Sequence, residues 1–556
     1  MTDPSDRVLP LVLPETEFFW TSGEDGRLRV QACLSCDALI HPPKPICPEC
    51  RSSKSAERVV SGTGILFGYT VNERFGLPGL APPYVVAEVA LDEDPRVRLT
   101  TRLIDCADTD IRLGMPVEVV FEHHADVWLP LFRPSTSDTE IRPLPDDPIA
   151  PTDYAGHVRP MASTDKFEDK AIISGVGASD IGRRLMRAPL ALTIEACERA
   201  VADAGLTFDD IDGLSTYPSG GPEGGYSEGG VTALESALRI RPTWYNGGGE
   251  TFGPGGSVIA AMMAVATGLA RHVLCFRTVW QSTHDELIRQ GRLPAPSTGR
   301  VGGLMGWSLP FGGVSAAHTL AQTAHRHFHK FGTTRETLGW IALNQRSNAA
   351  LNPTAIYREP LTMDDYLAAR TITTPFGLLD CDVPCDAAVA VIVSAADTAP
   401  DLANPPIRVE AVGTQLIEKL DWDQSTSTHE PQVLGPAAHL WSRTDLRPAD
   451  VQVAELYDGF TFNCLSWIEA LGFCGIGEAK EFLDGGRNIA RDGLLPLNTH
   501  GGQLSHGRTH GMGLLHEAVT QLRGDAGDRQ VRDARVAVVS SGGLTPSGVM
   551  LLRSDS

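Results

Sequence analysis

The chain has 556 residues, of which 42% are hydrophobic and 21% charged, and its formal net charge is −22. A globular chain of this length exceeds one hydrophobic core, so we expect two or three domains. The acidic balance argues against a nucleic-acid surface, which normally needs a basic patch. The longest apolar stretch, residues 258–266, is too short to span a membrane. The acidic N-terminus lacks the apolar core of a secretory signal, which favours a cytoplasmic location.

Two pairs of cysteines lie near the N-terminus, Cys33 with Cys36 and Cys47 with Cys50. Each CxxC pair forms a tight turn that directs two thiolates at one point, and two such turns make a closed tetrahedral site for structural Zn²⁺. The other seven cysteines are scattered, which is typical of small buried hydrophobes in a cytosolic enzyme. We therefore predict an N-terminal helix and a zinc ribbon over residues 1–56.

The next part of the chain, residues 57–135, has the alternation of β-strands. The clearest predicted strands are residues 62–71, 84–91, 97–103 and 114–122. A small five-stranded barrel behind a zinc ribbon fits an OB-fold, although this segment lacks the basic and aromatic stripe that binds oligonucleotides. Residues 136–168 are rich in Pro, Asp, Ser and Thr, so we predict an extended linker on the surface.

Residues 169–556 alternate between apolar strands and amphipathic helices, as in a layered α/β domain. Four segments of this part carry recognisable motifs. They are ETFGPGGS at 250–257, TPFGLLDCD at 374–382, AELYDGF at 454–460 and the glycine-rich stretch that starts NTHGG at 498–511. In this order they resemble the sterol-carrier and lipid-transfer-protein branch of the thiolase superfamily. That resemblance implies a thiolase fold with α/β/α/β/α layers.

The N-terminal part resembles a second family over roughly residues 10–135. The order of helix, rubredoxin-like zinc ribbon and small OB-fold barrel is similar to the zinc-ribbon/OB-fold family associated with acyl-CoA. Its members accompany thiolase-like proteins as subunits or fused modules. The resemblance implies a supporting role at the entrance or acyl-CoA groove of the active site.

The thiolase-like part departs from its branch at the reactive positions. The resemblance places Gly253 near the nucleophilic cysteine, Tyr457 at the histidine of the HDCF motif, Arg508 at the histidine of the GHP motif, and Ser540 near the second catalytic cysteine. Without a cysteine nucleophile, ordinary ping-pong acyl transfer is excluded. Either the site is inactive, or it performs other chemistry.

The tyrosine of the YDGF motif is similar to that of the lipid-transfer-protein aldolases of steroid side-chain degradation. Those enzymes also lack the nucleophile and act beside a zinc-ribbon/OB-fold partner. The resemblance implies retro-aldol cleavage of a β-hydroxyacyl-CoA into a ketone or aldehyde and a shorter acyl-CoA. Such a reaction needs a base for the β-hydroxyl proton, a site for the thioester enolate and an acid for the carbon, and no covalent intermediate.

Four residues are the catalytic candidates: Tyr457, Arg508, His510 and His506. A free tyrosine has a pKa near 10, so Tyr457 needs a nearby cation or hydrogen-bond donors to act as a base at neutral pH. Arg508 is a candidate for that cation, or binds the thioester oxygen or a carboxylate instead. His506 and His510 are the remaining candidates for proton transfer. Each of the four also has a purely structural interpretation.

Three glycines are candidate oxyanion or substrate contacts: Gly253, Gly255 and Gly543. Backbone N–H groups at a helix start are natural oxyanion donors, but glycines there can also simply permit a tight turn. We interpret Cys381 and Cys385 as structural. The histidine-rich stretch AHRHFHKFG at 324–332 is interpreted as an amphipathic helix with a solvated face.

Three functions remain open from the sequence. The first is an acyl-CoA aldolase with both modules fused in one chain, homodimeric through the thiolase-like part and with an acyl-CoA hydratase as a possible partner. The second is a thiolase-type enzyme that forms carbon–carbon bonds or transfers acyl groups through a noncovalent donor or an unrecognised nucleophile. The third is a non-catalytic subunit that binds acyl-CoA or lipid and scaffolds another enzyme.

Overall fold

A computed structural model of the chain describes residues 7–217, 223–248, 253–294, 299–419, 421–542 and 546–555. Its first part has a short helix, Glu17–Trp20, followed by a three-stranded sheet. The strands of this sheet are Arg29–Cys33, Leu39–Ile40 and Ser55–Val59. The turns beside these strands carry the two CxxC motifs.

The four ribbon cysteines converge on one point. Cys33 Sγ lies 3.5 Å from Cys50 Sγ, and Cys36 Sγ lies 3.6 Å from Cys47 Sγ. Zn–S bonds of about 2.3 Å in a tetrahedron place the sulfurs about 3.8 Å apart. The four thiols therefore fit a structural zinc ion, and with all four positions filled by sulfur the ion has no place for a substrate.

The predicted OB-fold is confirmed as a closed five-stranded barrel. Its strands are Thr63–Asn72, Tyr84–Leu91, Arg98–Leu103, Pro116–His124 and Val127–Pro134. The first strand pairs with both the second and the fourth, which closes the barrel. Two short strands from the C-terminal part, Thr371–Thr373 and Phe376–Gly377, extend the barrel sheet. The barrel is thus joined to the rest of the chain by backbone hydrogen bonds.

A nine-stranded mixed sheet is the centre of the C-terminal part. In spatial order its strands are Trp244–Asn246, Gly213–Thr216, His272–Trp280, Asp386–Ala395, Ala171–Ala178, Ile407–Gly413, Gly548–Arg553, Val536–Ser541 and Val453–Glu455. Five strands belong to the first half and four to the second. The halves meet where strand Ala171–Ala178 forms a short antiparallel pairing with strand Ile407–Gly413.

Helices cover both faces of this sheet. Alternate residues of Asp386–Ala395 point to opposite faces, so Ala390 and Ile392 pack on helix Pro189–Ala204, whereas Val391 and Val393 lie in the core that includes helix Ser257–Ala266. Helix Met512–Arg523 contacts strands of both halves, and Leu434–Trp441 packs on the second half. This layering confirms the predicted thiolase-like α/β arrangement.

The remaining α-helices lie around these layers. They are Gly230–Leu238, Gln281–Arg289, Ala316–Phe331, Arg335–Ala350, Met363–Ala368, Thr461–Ala470 and Ala479–Leu483. Among the described residues, no helix combines the length and apolar character that crossing a membrane requires.

Helix Ala316–Phe331, called the bridging helix below, lies between the barrel and the central domain. The Nη1 atom of Arg326 donates to Glu88 Oε2 of the barrel at 2.7 Å, and its Nε donates to the carbonyl of Ser427 at 2.6 Å. The predicted solvated face of this helix is wrong for two of the three histidines. His325 stacks on Tyr69 of the barrel at 4.6 Å between ring centroids, and the side chain of His327 is fully buried.

The segment predicted to be a surface linker is anchored at several points. The carboxylate of Asp147 accepts from the backbone N–H of Ser427 at 3.0 Å and lies 3.5 Å from a guanidinium nitrogen of Arg98. Tyr154 of the same segment is buried. These contacts are made between distant parts of the chain, so composition alone does not predict them.

Candidate active site

A cavity of about 570 Å³ lies where the barrel meets the carboxyl ends of the central strands. Its polar wall includes Tyr226, Gln281, Asp382, Tyr457, Arg508 and His510, with Asp285, Ser315 and Asn463 beside them. Its apolar wall includes Val314, Leu320, Ile372, Leu378 and Phe460, and Phe75 joins them from the barrel. The cavity therefore has a reactive polar region beside an extended apolar surface.

Three loops carry the polar groups, and backbone hydrogen bonds between the loops fix their relative positions. The N–H of Asp382 donates to the carbonyl of Gly459 at 3.0 Å, and the N–H of Val383 donates to that of Gln503 at 3.0 Å. The N–H of Arg508 then donates back to Val383 O at 3.0 Å. The motifs found separately in the sequence at 374–382, 454–460 and 498–511 thus form one rigid wall.

Tyr457 follows the edge strand Val453–Glu455, and its side chain is 5% exposed. Its backbone N–H donates to Ser540 Oγ at 2.9 Å. A Cβ atom on Gly459 would lie 2.8 Å from the Tyr457 ring, so glycine is needed to let the ring fit. Burial and the nearby Asp382 carboxylate raise the pKa of Tyr457, and this outweighs the opposing effect of Arg508. Arg508 thus acts on Tyr457 in the predicted direction but does not offset burial, so the phenol is protonated at neutral pH.

Arg508 is neutralised by a carboxylate that the sequence left unassigned. Its Nε donates to Asp382 Oδ2 at 2.6 Å, and its Nη2 donates to Asp382 Oδ1 in a bidentate pair. Burial lowers the pKa of Arg508, but Asp382 raises it more, so it ends above the usual value. Burial raises the pKa of Asp382 even though Arg508 opposes this. Arg508 is therefore a fixed cation with a carboxylate of increased basicity beside it.

A second tyrosine reaches the same cation from a different part of the chain. The hydroxyl of Tyr226 accepts from Arg508 Nη1 at 3.1 Å, and Gln281 Oε1 accepts from the same nitrogen at 2.7 Å. Burial raises the pKa of Tyr226, so this phenol is also neutral. Tyr226 lies in a glycine-rich stretch outside the four motifs. A tyrosine within a glycine-rich stretch is the sequence signal that could have drawn attention to it.

His510 is held in one tautomer by a buried arginine. Arg277, on strand His272–Trp280, is 3% exposed and donates from Nη2 to His510 Nδ1. Arginine has only donors, so Nδ1 must accept and the imidazole proton resides on Nε2. Burial, with Arg277 and Arg508 adding to it, lowers the pKa of His510 well below its usual value. His510 is thus a neutral hydrogen-bond donor, a form that is unsuited to act as a base.

The glycines at the former nucleophile position lie behind His510. A Cβ atom on Gly253 would be 3.0 Å from the carbonyl oxygen of His510, and one on Gly255 would be 2.7 Å from the Cα of Gly548. Both residues are buried, at the entry to helix Ser257–Ala266. The structure therefore places them in close packing next to the cavity wall. Gly543 lies outside the described residues.

His506 faces away from the Tyr457 cavity. It lines a separate cavity of about 250 Å³ together with His500, His516 and Glu517. Its Nε2 is 3.2 Å from Thr354 Oγ1, and its ring packs edge-on against His500 at 4.9 Å between centroids. The structure brings Tyr457, Arg508 and His510 together and leaves His506 on the opposite side of the 498–511 loop.

The nearby cysteines are not activated as nucleophiles. Cys381 lines the cavity, and burial raises its pKa well above the usual value. Cys385 donates from Sγ to the carbonyl of Arg508 at 3.1 Å, and burial raises its pKa too. Because the thiolate is the reactive form, these protonated thiols argue against covalent acyl transfer.

Comparisons with known proteins agree with this architecture. Residues 425–552 match the family described as thiolase C-terminal domain-like, residues 57–122 match the ChsH2 C-terminal OB-fold domain, and residues 20–55 match the ChsH2 rubredoxin-like zinc ribbon domain. A solved structure described as an Ltp2-ChsH2(DUF35) aldolase superposes with a TM-score of 0.60 at 32% identity. The match covers 70% of this chain and 98% of that one.

Two curated relatives each match about two thirds of the chain. The chain is 35% identical over 393 residues to a steroid side-chain-cleaving aldolase of Thermomonospora curvata, covering 68% of this chain and 97% of the relative. It is 37% identical over 396 residues to 17-hydroxy-3-oxo-4-pregnene-20-carboxyl-CoA lyase of Mycobacterium tuberculosis, covering 69% and 99%. The chain belongs to this thiolase-like aldolase family. The aldolase is thus a carbon–carbon lyase, as the YDGF motif predicted, and it carries its zinc ribbon and OB-fold in the same chain.

Proposed function

We propose that this aldolase cleaves a β-hydroxyacyl-CoA with a bulky apolar carbinol into a ketone and a shorter acyl-CoA. The observation that carries this proposal is the juxtaposition of the Arg508–Asp382 pair with the neutral phenol of Tyr457 in one cavity. The extended apolar wall favours a large hydrophobic ketone portion over a short aliphatic one. One relative is named for a hydroxylated steroid carboxyl-CoA, a substrate of that chemical class.

Asp382 is the proposed base. Two of its lone pairs are used by Arg508, and a carboxylate has about four, so it can still accept the proton of the β-hydroxyl group. Burial raises its pKa, which makes it a better base than an exposed aspartate. As the proton moves to Asp382, the bond between Cα and Cβ breaks, and its electron pair passes to the thioester as an enolate.

Arg508 and His510 are the proposed binding groups for the enolate oxygen. Both present N–H donors at fixed positions, because Asp382 orients the guanidinium and Arg277 fixes the imidazole tautomer. Donors that are already oriented in a buried site stabilise developing negative charge without reorganising. The substrate oxygen would compete with Tyr226 and Gln281 for Arg508 Nη1.

Tyr457 is the proposed acid. Its raised pKa keeps the phenol protonated, so that it can deliver a proton to Cα of the enolate after the ketone portion has separated. The proton that Asp382 took from the β-hydroxyl group then passes to the phenolate of Tyr457 through the cavity, so both groups return to their starting forms and the ketone leaves as a neutral molecule. The cycle needs no covalent intermediate, consistent with glycine at the nucleophile position.

The test is the incubation of the purified chain with a β-hydroxyacyl-CoA bearing a tertiary carbinol. We expect stoichiometric release of ketone and shorter acyl-CoA, and a loss of kcat of roughly 10²- to 10⁴-fold in Tyr457→Phe, the range for one acid–base group. Unimpaired cleavage in Tyr457→Phe would refute the role of Tyr457. A covalent acyl-enzyme detected by mass spectrometry would instead favour acyl transfer, and tight binding without turnover would favour a scaffold.

The assembly around the aldolase is a further part of the proposal. Strand Trp244–Asn246 lies at the edge of the nine-stranded sheet, and Tyr245 there is 67% exposed. An exposed edge strand is a ready surface for pairing with another chain, which supports a homodimer through the thiolase-like part. A hydratase partner, which would supply the β-hydroxyl group by adding water to a double bond, stays a prediction, as does the cytoplasmic location.

A further inference from the structure

A cluster of two histidines and one glutamate lies in the core, outside the active-site cavity. His327 comes from the bridging helix, Glu469 from helix Thr461–Ala470, and His429 from the segment between the central strands and helix Leu434–Trp441. His327 Nε2 is 3.2 Å and His429 Nε2 is 3.0 Å from Glu469 Oε2. All three side chains have no exposure to solvent. The retro-aldol reaction uses none of them.

Three nitrogens converge on Oε2 of Glu469. Besides the two imidazole nitrogens, Oε2 accepts from the backbone N–H of Gly477 at 2.8 Å, and Oε1 accepts from Ala479 N at 3.1 Å. A carboxylate oxygen has about two lone-pair sites, so Oε2 is a crowded acceptor. Two imidazoles that converge on one carboxylate oxygen also have the arrangement of ligands that share a metal ion.

The outer nitrogens of both imidazoles already have partners. His327 Nδ1 lies 2.8 Å from Thr333 Oγ1, and His429 Nδ1 lies 3.0 Å from Thr428 Oγ1. When Nδ1 donates its proton to such an oxygen, Nε2 keeps a free lone pair, which is the arrangement found around metal-bound histidines. In that tautomer the two Nε2 lone pairs face the Glu469 carboxylate, and a cation between them stabilises the arrangement.

We propose that His327, His429 and Glu469 bind a second, structural zinc ion, with a buried water as its fourth ligand. Bonds of about 2.0–2.1 Å in a tetrahedron place ligand atoms about 3.4 Å apart, close to the two observed separations. Imidazole and carboxylate ligands suit zinc. Because none of the three side chains is exposed, a substrate has no access to the ion, and we assign it a structural role. The ion would link the bridging helix to the helix that follows the YDGF motif. Because the bridging helix packs on the barrel, this link would also stabilise the position of the barrel.

The first experiment uses the unaltered protein and so does not depend on a variant folding. We expect about two zinc ions per chain by elemental analysis after purification without chelators. The zinc X-ray absorption spectrum should contain nitrogen and oxygen scatterers at about 2.0–2.1 Å beside the sulfur shell at about 2.3 Å. One zinc ion per chain with an all-sulfur spectrum would overturn the proposal.

Substitutions then assign the two ions. Glu469→Gln keeps the shape of the side chain and should lose one zinc ion while retaining the sulfur shell, whereas Cys33→Ser should lose the sulfur-bound ion and keep the other. His329→Gln, an exposed change two residues from His327 on the same helix, is the matched control and should keep both ions. Unchanged zinc content in Glu469→Gln would contradict the assignment. If that variant does not fold, the spectrum of the unaltered protein decides.

Discussion

At the level of single residues, motif position pointed to some residues of the candidate site, and spatial contact pointed to the others. Tyr457 and Arg508 were found because they occupy positions where the related branch has histidines. Asp382 lies inside a quoted motif, but its proposed role depends on its contact with Arg508, and the sequence does not show that contact. Tyr226 lies 282 residues from Arg508 in the chain, so no local pattern could link the two.

Asp382→Asn should reduce both turnover and stability. The proposed base is lost, so we expect kcat to fall by about 10²-fold or more. Arg508 also loses its anionic partner in a site where the Asp382 side chain is 3% exposed, and breaking such a buried pair costs about 3–5 kcal/mol. Steady-state kinetics and urea unfolding measure the two effects.

The matched control is Asp397→Asn, which breaks an aspartate–arginine pair on the surface. Asp397 is 71% exposed and lies 3.4 Å from Arg271, so its loss should cost about 0–1 kcal/mol and leave kcat unchanged. If Asp382→Asn behaved like this control, Asp382 would be neither the base nor an important partner of Arg508.

At the level of helices and strands, local signals predicted where the regular elements lie better than they predicted what packs against those elements. Helix Pro189–Ala204 ends at Gly205, which adopts the left-handed conformation that terminates helices, and a glycine of this kind is a local signal in the sequence. The solvated face predicted for the bridging helix failed because the barrel covers it, and the amphipathic pattern does not say which partner a polar face meets. Stacking on Tyr69 is a tertiary contact that periodicity cannot reveal.

Gly255→Ala should destabilise the start of helix Ser257–Ala266. The new Cβ would lie 2.5 Å from Ser541 Oγ and 2.7 Å from the Cα of Gly548, so the backbone must move. Overpacking of this kind costs about 1–3 kcal/mol. The neighbouring Gly253 contacts the backbone of His510, so we also expect kcat/KM to fall. Urea unfolding and kinetics of the same preparation test both effects.

Gly156→Ala is the control for this substitution, because a Cβ there meets no atom within 4 Å. Its stability should remain within about 0.5 kcal/mol of the unaltered protein, as is usual for surface changes. Equal stability of the two variants would mean that the helix start has room for a side chain, and that the glycines of this motif are not required by packing.

At the level of the whole molecule, the sequence predicted the modules but not how they are joined. Composition and the CxxC spacing separate the ribbon and barrel from the α/β part, because each has its own local pattern. Their junction is a buried network of charges in which Arg326 meets Glu88, and Arg98 meets Asp147. These pairs join residues far apart in the chain, and only folding brings them together.

The junction should make the stability of the protein depend on pH through Asp423. The Asp423 carboxyl accepts from Thr100 Oγ1 of the barrel at 3.3 Å, and burial, followed by the charge of Glu88, raises its pKa to about 7. Between its unfolded pKa near 4 and about 7, the folded state binds a proton that the unfolded state has released. The free energy of unfolding therefore falls as the pH rises through this window, and this group causes no further change above it. The total fall is up to a few kcal/mol, because each unit of pKa shift corresponds to about 1.4 kcal/mol.

Asp423→Asn removes this titration while keeping an oxygen acceptor for Thr100. We expect the variant to match the unaltered protein near pH 4 and to become progressively more stable than it up to pH 7, as measured by urea unfolding at each pH. Glu418, whose pKa burial also raises to about 7, titrates in both proteins and cancels in the difference. Leu494→Ala, at an exposed position and without a titratable group, should show a difference that does not vary with pH. If the difference in free energy of unfolding between Asp423→Asn and the unaltered protein were also independent of pH, the junction would not raise the pKa of Asp423.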